Sequence, residues 1–446
     1  MDIVIAGAGA VGTHLSRWLS GESHNISLVD QDQERLANLD NSIDVITIAG
    51  EVTDYKVLLK AKIASADLFI SVTSSEEANI LSAIYAKKLG AKKTIARISQ
   101  MQYLTDTETL NLHELGIDEL ISPESLAARE VRHLVKANAA TESIEFENGK
   151  ITLLGLDVEK DASIAGMSLQ EIAARYPVRN YVMVALKRDH ETIIPQGHTV
   201  IEAGDHLYMI THAEGMEEVL EITGRKKIQV STIIIMGGSR TGRHLARKLS
   251  KDFHVKLIEQ DPEKSREIAA DFPDTLVLNF DGTDVEKLDE EGISTTDVFV
   301  AATGNSETNI LSCLVAKDRG VKKTIAMVEN IEYQTLSHNI GIDSLINKKL
   351  AAANFIYRYI RRGDFVALST IHGLDAEVME YKVDNNCKVT RKKIKDLGLP
   401  RGALIGGVIR NNKGMIPTGN FEIEMGDRVV VFAKSNCAKK LSRYFN

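Results

Sequence analysis

Cysteine is scarce in this 446-residue chain: Cys313, Cys387 and Cys437 are all there are, odd in number and far apart. That excludes a disulfide framework and the paired spacing of a zinc site, and it fits a reducing compartment. Each reads as a small hydrophobe. No apolar run reaches the roughly eighteen residues that a membrane-spanning helix needs. Positive charge is not in excess: 54 Lys and Arg stand against 62 Asp and Glu, a net charge of -8. A nucleic-acid binder would carry a basic stripe, so no nucleic-acid partner is expected. The first apolar run begins at once, which predicts no leader peptide. With 43% apolar and 26% charged residues the composition is that of a soluble globular protein, and the length predicts two to four domains.

The most informative stretch is Asp2 to Gly12. Ile3, Val4 and Ile5 form an apolar run without polar alternation, as a strand buried on both faces would. Gly7, Gly9 and Gly12 follow at the spacing of a phosphate-binding turn, and a helical pattern opens after them. The next apolar run, Ile26 to Val29, ends in Asp30. Each part has a task in a dinucleotide site. The glycines permit a tight turn, close approach of the pyrophosphate and close helix packing. The helix N-terminus faces the phosphates, and the acid takes the ribose hydroxyls. An acid there disfavours a 2′-phosphate, so NAD is expected over NADP.

A large internal repeat follows. Leu89-Gly90-Ala91-Lys92-Lys93-Thr94-Ile95-Ala96 returns as Arg319-Gly320-Val321-Lys322-Lys323-Thr324-Ile325-Ala326. Glu77 to Ser82 returns as Glu307 to Ser312, Gly116-Ile117-Asp118 as Gly341-Ile342-Asp343, and Ile194-Pro195-Gln196-Gly197 as Ile416-Pro417-Thr418-Gly419. Ala203-Gly204-Asp205 returns as Met425-Gly426-Asp427. Constant order with a slowly shrinking offset means tandem duplication with a few deletions.

Each half reads as two domains. In the first half apolar runs at 3–5, 26–29, 45–48, 68–72, 94–98 and 119–121 alternate with helical spacing, which predicts a parallel, doubly wound sheet. From about 142 to 226 short strands surround one helix at 169–174, as in a small α+β module, and 365–446 is its copy. The fold class is therefore α/β: two tandem Rossmann-like doubly wound sheets, each followed by a small α+β module. The expected limits are 1–138, 140–226, 230–362 and 363–446. After the sixth strand of each sheet a helix is expected, from Ser122 and from Lys349, the latter ended by Gly363. These helices either pack one nucleotide domain against another or fold back on their own sheet.

Right-handed crossovers place a ligand at the carboxyl ends of the strands. The candidate contacts of the first half are Gly7, Ala8, Gly9, Ala10, Val11, Gly12, Asp30, Gln31, Glu51, Thr73, Ser74, Asn79 and Arg97. Asn79 and Thr73 are placed to bond the adenosine half, and Arg97 to pair with phosphate. Ser74 with Glu77 equally reads as a capping box. The candidates of the second half are Gly237, Ser239, Arg240, Thr241, Glu259, Asp281, Thr303 and Asn309. That half departs twice: Ser239 replaces the middle glycine and Met327 replaces Arg97, so its occupancy stays open. No Cys–His or Ser–His–Asp set and no metal-ligand spacing is visible. His190, His198, His206 and His212 have no counterparts in the second copy and read as solvated. No residue reads as catalytic. An NAD-dependent oxidoreductase remains the alternative, because the glycine turn alone would suit one.

The Gly7–Gly12 turn, Asp30, the Thr73–Asn79 segment, the strand to Arg97 and the duplicated small module together resemble the TrkA family. Its members are cytosolic NAD-binding subunits of bacterial Trk-type potassium uptake systems, built from tandem RCK (KTN) domains with RCK-C modules. The resemblance covers the whole chain. It implies a non-enzymatic gating subunit, cytoplasmic and peripheral on the inner face of the membrane. It implies a homotetramer whose eight nucleotide domains form a ring under a potassium channel subunit of the TrkH or TrkG type. NAD or NADH is the implied ligand, with ATP or ADP as further candidates, and no metal.

Overall fold

The computed structural model describes the chain apart from residues 22–23, 41–42, 101, 106–109, 137–139, 148, 178–179, 189–190, 226–228, 331–332, 334–340, 361–366, 371–375, 385–386 and 446. His190, Gly363 and the expected domain limits near 138, 226 and 362 lie outside the described residues. The chain forms two compact units: residues 1–129 with 347–357, and residues 130–346 with 358–446.

The first unit is built on a six-stranded parallel sheet. Its strands are β1 (Asp2–Ala6), β2 (Asn25–Asp30), β3 (Ile46–Ala49), β4 (Leu68–Ser71), β5 (Lys93–Arg97) and β6 (Glu119–Ile121). They lie in the order β3-β2-β1-β4-β5-β6, so the strand order reverses between β1 and β4. A ligand crevice forms at such a reversal. β1 and β4 are buried on both faces, as their unbroken apolar runs demand. Val4, Phe69, Ala83 and Ala86 lie in one core cluster under the helix Glu76–Leu89. The helix Ala10–Ser20 buries Val11, Leu15 and Leu19, one stripe at a spacing of four.

The helix Lys348–Ile360 follows the last strand of the second parallel sheet, yet its segment 347–357 belongs to the first unit. Tyr357 meets Trp18 edge to face at 5.4 Å, and Trp18 in turn lies 4.0 Å from the His14 ring. Burial, and then the nearby Arg17, lower the His14 pKa to about 4, so the ring is neutral near pH 7. Ser122 caps the other crossover helix, Pro123–Lys136, accepting from the Ser125 N–H at 3.2 Å. The end of that helix belongs to the second unit, where Arg132 and Lys136 pair with Asp252 at 2.7 and 3.2 Å.

The second unit holds three sheets. The parallel one repeats the first: β12 (Thr232–Met236), β13 (His254–Ile258), β14 (Thr275–Leu278), β15 (Val298–Ala301), β16 (Lys323–Met327) and β17 (Ser344–Ile346), in the order β14-β13-β12-β15-β16-β17. The two small sheets are antiparallel. One contains β7 (Glu142–Phe146), β8 (Ile151–Asp157), β9 (Tyr181–Arg188), β10 (Glu191–Ile193) and β11 (His206–His212). The other contains β18 (Ala367–Thr370), β19 (Ala376–Lys382), β20 (Ala403–Arg410), β21 (Lys413–Met415) and β22 (Arg428–Lys434). Their orders, β10-β9-β11-β8-β7 and β21-β20-β22-β19-β18, are the same order twice. Ile151, Leu153, Tyr208 and Ile210 of one share a core with Val378, Ile409, Val430 and Phe432 of the other. Each small module thus gains the buried apolar area that it lacks alone. The repeated Gly-Asp turn holds a buried clamp: Asp205 takes Arg188 at 2.7 Å, and Asp427 takes Arg410 at 2.8 Å.

One histidine differs from expectation. His198 is exposed, but His206 is buried, with Nδ1 2.6 Å from the Asp157 carboxylate. Facing it, the half-buried Glu142 has its carboxyl pushed up to about 7 by desolvation, against the attraction of His206. His206 opens a strand buried on both faces from His206 to Thr211, so its ring is desolvated and finds an acid.

Candidate functional site

A cavity of about 370 Å³ opens at the carboxyl ends of β1 to β5 in the first unit. Gly7, Gly9, Ala10 and Val11 line it from the turn, Asp30 and Gln31 from β2, Glu51 from the end of β3, Thr73 and Ser74 from β4, and Arg97 from β5. Ten candidates spread over about ninety residues of sequence are thus brought to one crevice, because parallel strands all end on the same edge.

The turn is shaped for an anion. Gly9 is the N-cap of the helix Ala10–Ser20 and gives it no side-chain cap, so no side chain takes the N–H groups of the first turn. A Cβ at Gly9 would meet nothing within 4 Å. The fold itself does not require glycine there, and the space is what a phosphate would fill. Gly12 does the opposite. A Cβ on it would lie 1.8 Å from the Gly7 carbonyl oxygen, so Gly12 packs the helix against the turn and does not line the cavity.

Asp30 is buried and fixed. Its carboxylate accepts the Ala8 N–H at 2.5 Å and the Asp32 N–H at 2.9 Å. Two backbone donors hold the acid against the turn and leave lone pairs facing the cavity. Ala8 is a donor to Asp30 and not a cavity wall.

Asn79 departs furthest from expectation. It is 1% exposed and lies beneath the cavity. Its Oδ1 accepts from Ser71 Oγ, the Thr73 N–H and Thr73 Oγ1 at 3.0, 2.9 and 2.7 Å. Its Nδ2 donates to the Thr73 and Arg97 carbonyls at 3.3 and 3.0 Å. That uses the amide fully, so Asn79 ties the end of β4 to the end of β5 and does not bond a ligand in this arrangement. Asn309 does the same for Thr303 and the Met327 carbonyl, at 2.6 to 3.2 Å. The cap also moves by one residue. Ser75, not Ser74, is the N-cap of Glu76–Leu89 and accepts from Ala78 N–H at 3.1 Å, which leaves Ser74 on the cavity wall. Arg97 presents a guanidinium with no acidic partner among the described residues.

Three cations line the cavity without having been singled out: Arg35, Lys348 and Lys349. The lysines open a helix more than 300 residues from the glycine turn, so no local spacing points to them. The signal available was two cations in the first turn of a helix, where the macrodipole disfavours them.

The second half is arranged differently. Ser239 caps the helix Arg240–Leu249, accepting the Gly242 N–H at 3.2 Å and donating to the Ala302 carbonyl at 2.6 Å. A side chain therefore takes a donor that the first turn leaves open. Glu259 accepts from Gly238 N–H at 3.0 Å and Asp261 N–H at 2.9 Å, as Asp30 does in the first half. Its extra methylene fits because position 238 is glycine: a Cβ there would lie 2.6 Å from Glu259 Oε2. Asp281 closes a local turn on Thr283, whose N–H and hydroxyl hold its carboxyl below the usual range. Thr241 is buried, Gly237 keeps its positive φ of 108°, and Arg240 is exposed. Met327 is 6% exposed.

The TrkA-N domain model matches residues 3–123 and 233–348, and the TrkA-C domain model matches residues 153–224 and 378–446. Together they span well over half of the chain, in alternation, as the repeat does. The chain belongs to the TrkA family. A Trk system potassium uptake protein TrkA homolog of Archaeoglobus fulgidus is 34% identical over 447 residues, covering 100% of both chains. The Haemophilus influenzae TrkA is 32% identical over 437 residues, 97% of this chain and 95% of its own. Among solved structures, a GsuK channel bound to NAD superposes with a TM-score of 0.60 at 18% identity, over 100% of this chain and 78% of that one. This second likeness is one of fold: tandem Rossmann-like RCK domains with small antiparallel modules.

Among the described residues no group of three or more His, Cys, Asp or Glu is placed to hold a metal ion. No described helix is long and apolar enough to cross a membrane. The three cysteines are buried and outside any disulfide.

Proposed function

We propose that this TrkA-family chain is the nucleotide-binding gating subunit of a Trk-type potassium uptake channel, and that it acts on its ligand by binding alone. The supporting observation is the first cavity. It joins an uncapped helix N-terminus, an open Gly9, a fixed acid and the Arg97 guanidinium. NAD or NADH fits this set, with the pyrophosphate against Gly9, Ala10 and Val11 and the ribose at Asp30. ATP and ADP fit the same turn. The partner is a membrane subunit of the TrkH or TrkG type, and the subunit is a homotetramer, cytoplasmic and peripheral on the membrane. The relatives named as potassium uptake proteins support this reading. The proposed domains are 1–138, 140–226, 230–362 and 363–446. A nucleotide shifts a channel equilibrium only by binding one arrangement more tightly, by about 1–3 kcal/mol in typical couplings.

The direct test is potassium uptake in cells lacking the chain, together with copurification of the membrane subunit. Uptake that is normal without the chain and indifferent to nucleotide sinks the reading. Substrate-dependent oxidation or reduction of the nicotinamide would move it to the oxidoreductases.

Two substitutions test the sites. Asp30→Asn keeps an acceptor for the Ala8 N–H but removes the charge. NADH affinity should fall about tenfold or more, with the melting temperature nearly unchanged. Isothermal titration calorimetry decides, and unchanged affinity would show that the ribose lies elsewhere. In the second half the Ser239 side chain stands at the position where Gly9 leaves space for a phosphate, so one nucleotide per chain is expected. Ser239→Gly opens that space at a cost of only a few tenths of a kcal/mol. Binding stoichiometry should then rise above one, and a wild-type value of two would refute the self-capped second turn as a closed site.

A further inference from the structure

Resting on the reading of the chain as peripheral on the membrane, we propose that the second small module binds an anionic lipid surface directly. The face that does so is formed by residues 388–395 and the helix Ser435–Phe445.

The two small modules share one strand order and one core, but not one charge. Residues 153–224 of the first hold 12 Asp and Glu against 5 Lys and Arg, whereas residues 378–446 of the second hold 6 against 14. Repeated hydrogen bonds match the copies residue by residue. The Leu169 and Gln170 N–H groups donate to the Thr199 and Gly197 carbonyls at 3.1 and 2.9 Å, and those of Ile394 and Lys395 donate to Phe421 and Gly419 at 3.1 and 2.9 Å. Met167, Ser168 and Gln170 thus correspond to Lys392, Lys393 and Lys395. Counted from the ends of β11 and β22, Glu218 and Glu221 correspond to Lys440 and Arg443. The buried positions between them are kept, Val219 and Leu441 both being 0% exposed. The fold therefore does not call for the cations. One of them even weakens it locally. Ser168 builds a capping box with Glu171 at the start of the helix Leu169–Arg175, whereas Lys393 supplies no cap and only the single turn Ile394–Asp396 forms.

The helix packs on the segment, so the cations gather on one part of the surface. Cys387 Sγ donates to the Phe445 carbonyl and the Tyr444 hydroxyl to the Gly398 carbonyl, both at 2.8 Å. Cys437, Leu441 and Phe445 are buried at a spacing of four, which leaves Lys440 and Arg443 exposed. Lys388, Lys392, Lys393 and Lys395 are exposed as well, and none of these six cations forms an ion pair among the described residues. A basic amphipathic helix is a membrane-surface pattern. Here its apolar stripe is spent on the module, so the contact is by charge and not by insertion. A protein partner would need an apolar centre in the patch. Among the described residues of 378–446, Met425 is the only large hydrophobic side chain that is exposed. Single-stranded nucleic acid would need exposed rings to stack on, and no described aromatic of this module is exposed. A lipid leaflet offers many like charges and no shape, and each Lys or Arg near an anionic leaflet strengthens binding about fivefold.

The experiment is sedimentation of the full chain with vesicles of phosphatidylcholine alone and of phosphatidylcholine mixed with phosphatidylglycerol. Wild type should bind only the anionic vesicles and leave them as salt rises. The Lys392→Gln/Lys393→Ser/Lys395→Gln variant, which takes the side chains of the first copy at two positions, should bind about tenfold or more weakly with an unchanged melting temperature. The Lys392→Arg/Lys393→Arg/Lys395→Arg variant should keep the affinity. Equal binding to both kinds of vesicle, binding to neither, or a glutamine–serine variant that binds like wild type overturns the proposal. A wild type that binds duplex DNA but not vesicles overturns it too. The vesicles hold no channel subunit, so failure here leaves the gating reading standing. Normal potassium uptake without the chain sinks that reading and leaves vesicle binding in place.

Discussion

Alanine at Gly12 should destabilise the first unit by about 3 kcal/mol or more, whereas serine at Gly9 should leave its stability within about 1 kcal/mol of wild type. The two glycines stand three residues apart in one motif, and the motif treats them alike. The structure does not. A Cβ on Gly12 would lie 1.8 Å from the Gly7 carbonyl oxygen, a backbone atom that cannot rotate away. The helix would have to move off β1, breaking the packing of Val11 and Leu15 against the sheet. The same holds at Gly242, where the distance to the Gly237 carbonyl is 1.9 Å. A Cβ on Gly9 meets nothing within 4 Å, and a serine there recreates the capping seen at Ser239. Gly9→Ser should therefore melt normally while losing NADH affinity about tenfold or more, because its side chain occupies the space left for the phosphate. Thermal unfolding and calorimetry on both variants separate the two roles. A Gly9→Ser chain with intact nucleotide affinity would place the phosphates elsewhere.

The legible parts of the molecule are those written in local pattern. Unbroken apolar runs at Ile3–Ile5 and Leu68–Ser71 mark strands buried on both faces, and their alternation with helical spacing marks a parallel sheet. Duplication makes this doubly readable, because each half checks the other. Parallel topology then carries much of the site, since Asp30, Glu51, Thr73 and Arg97 all end strands on one edge. What sequence could not supply is the direction in which a side chain spends its hydrogen bonds. Asn79 sits one turn into a helix beside a strand end, where a ligand-binding amide would sit. Its partner, the Arg97 carbonyl, lies 18 residues onward on another strand. His206 looked solvated because its acid, Asp157, lies 49 residues away on the neighbouring strand β8. Lys348 and Lys349 were hidden by chain distance, since a segment following the second parallel sheet completes the first unit.

Removing the Asn79 amide should be among the most damaging single changes in the first unit, although Asn79 touches no ligand. Asn79→Ala leaves the Ser71 hydroxyl, the Thr73 N–H and the Arg97 carbonyl without this partner, near or within the core. Each unsatisfied buried group costs about 1–3 kcal/mol, so a loss of about 3–5 kcal/mol is expected. Asn79→Asp separates hydrogen bonding from shape. It keeps the acceptor for Thr73 but turns a carboxylate oxygen toward two carbonyls, and a buried charge without a cation is costlier still. Both variants should unfold at lower denaturant than wild type, with aspartate at least as damaging as alanine at neutral pH. The same pair at Asn309 should act on the second unit, whose amide holds Thr303 and Met327 but lacks the serine contact, Ala301 standing where Ser71 does. Its alanine variant should therefore lose about 1 kcal/mol less. If instead Asn79→Ala melts like wild type and loses only nucleotide affinity, Asn79 is a ligand contact after all and the strand clamp is incidental.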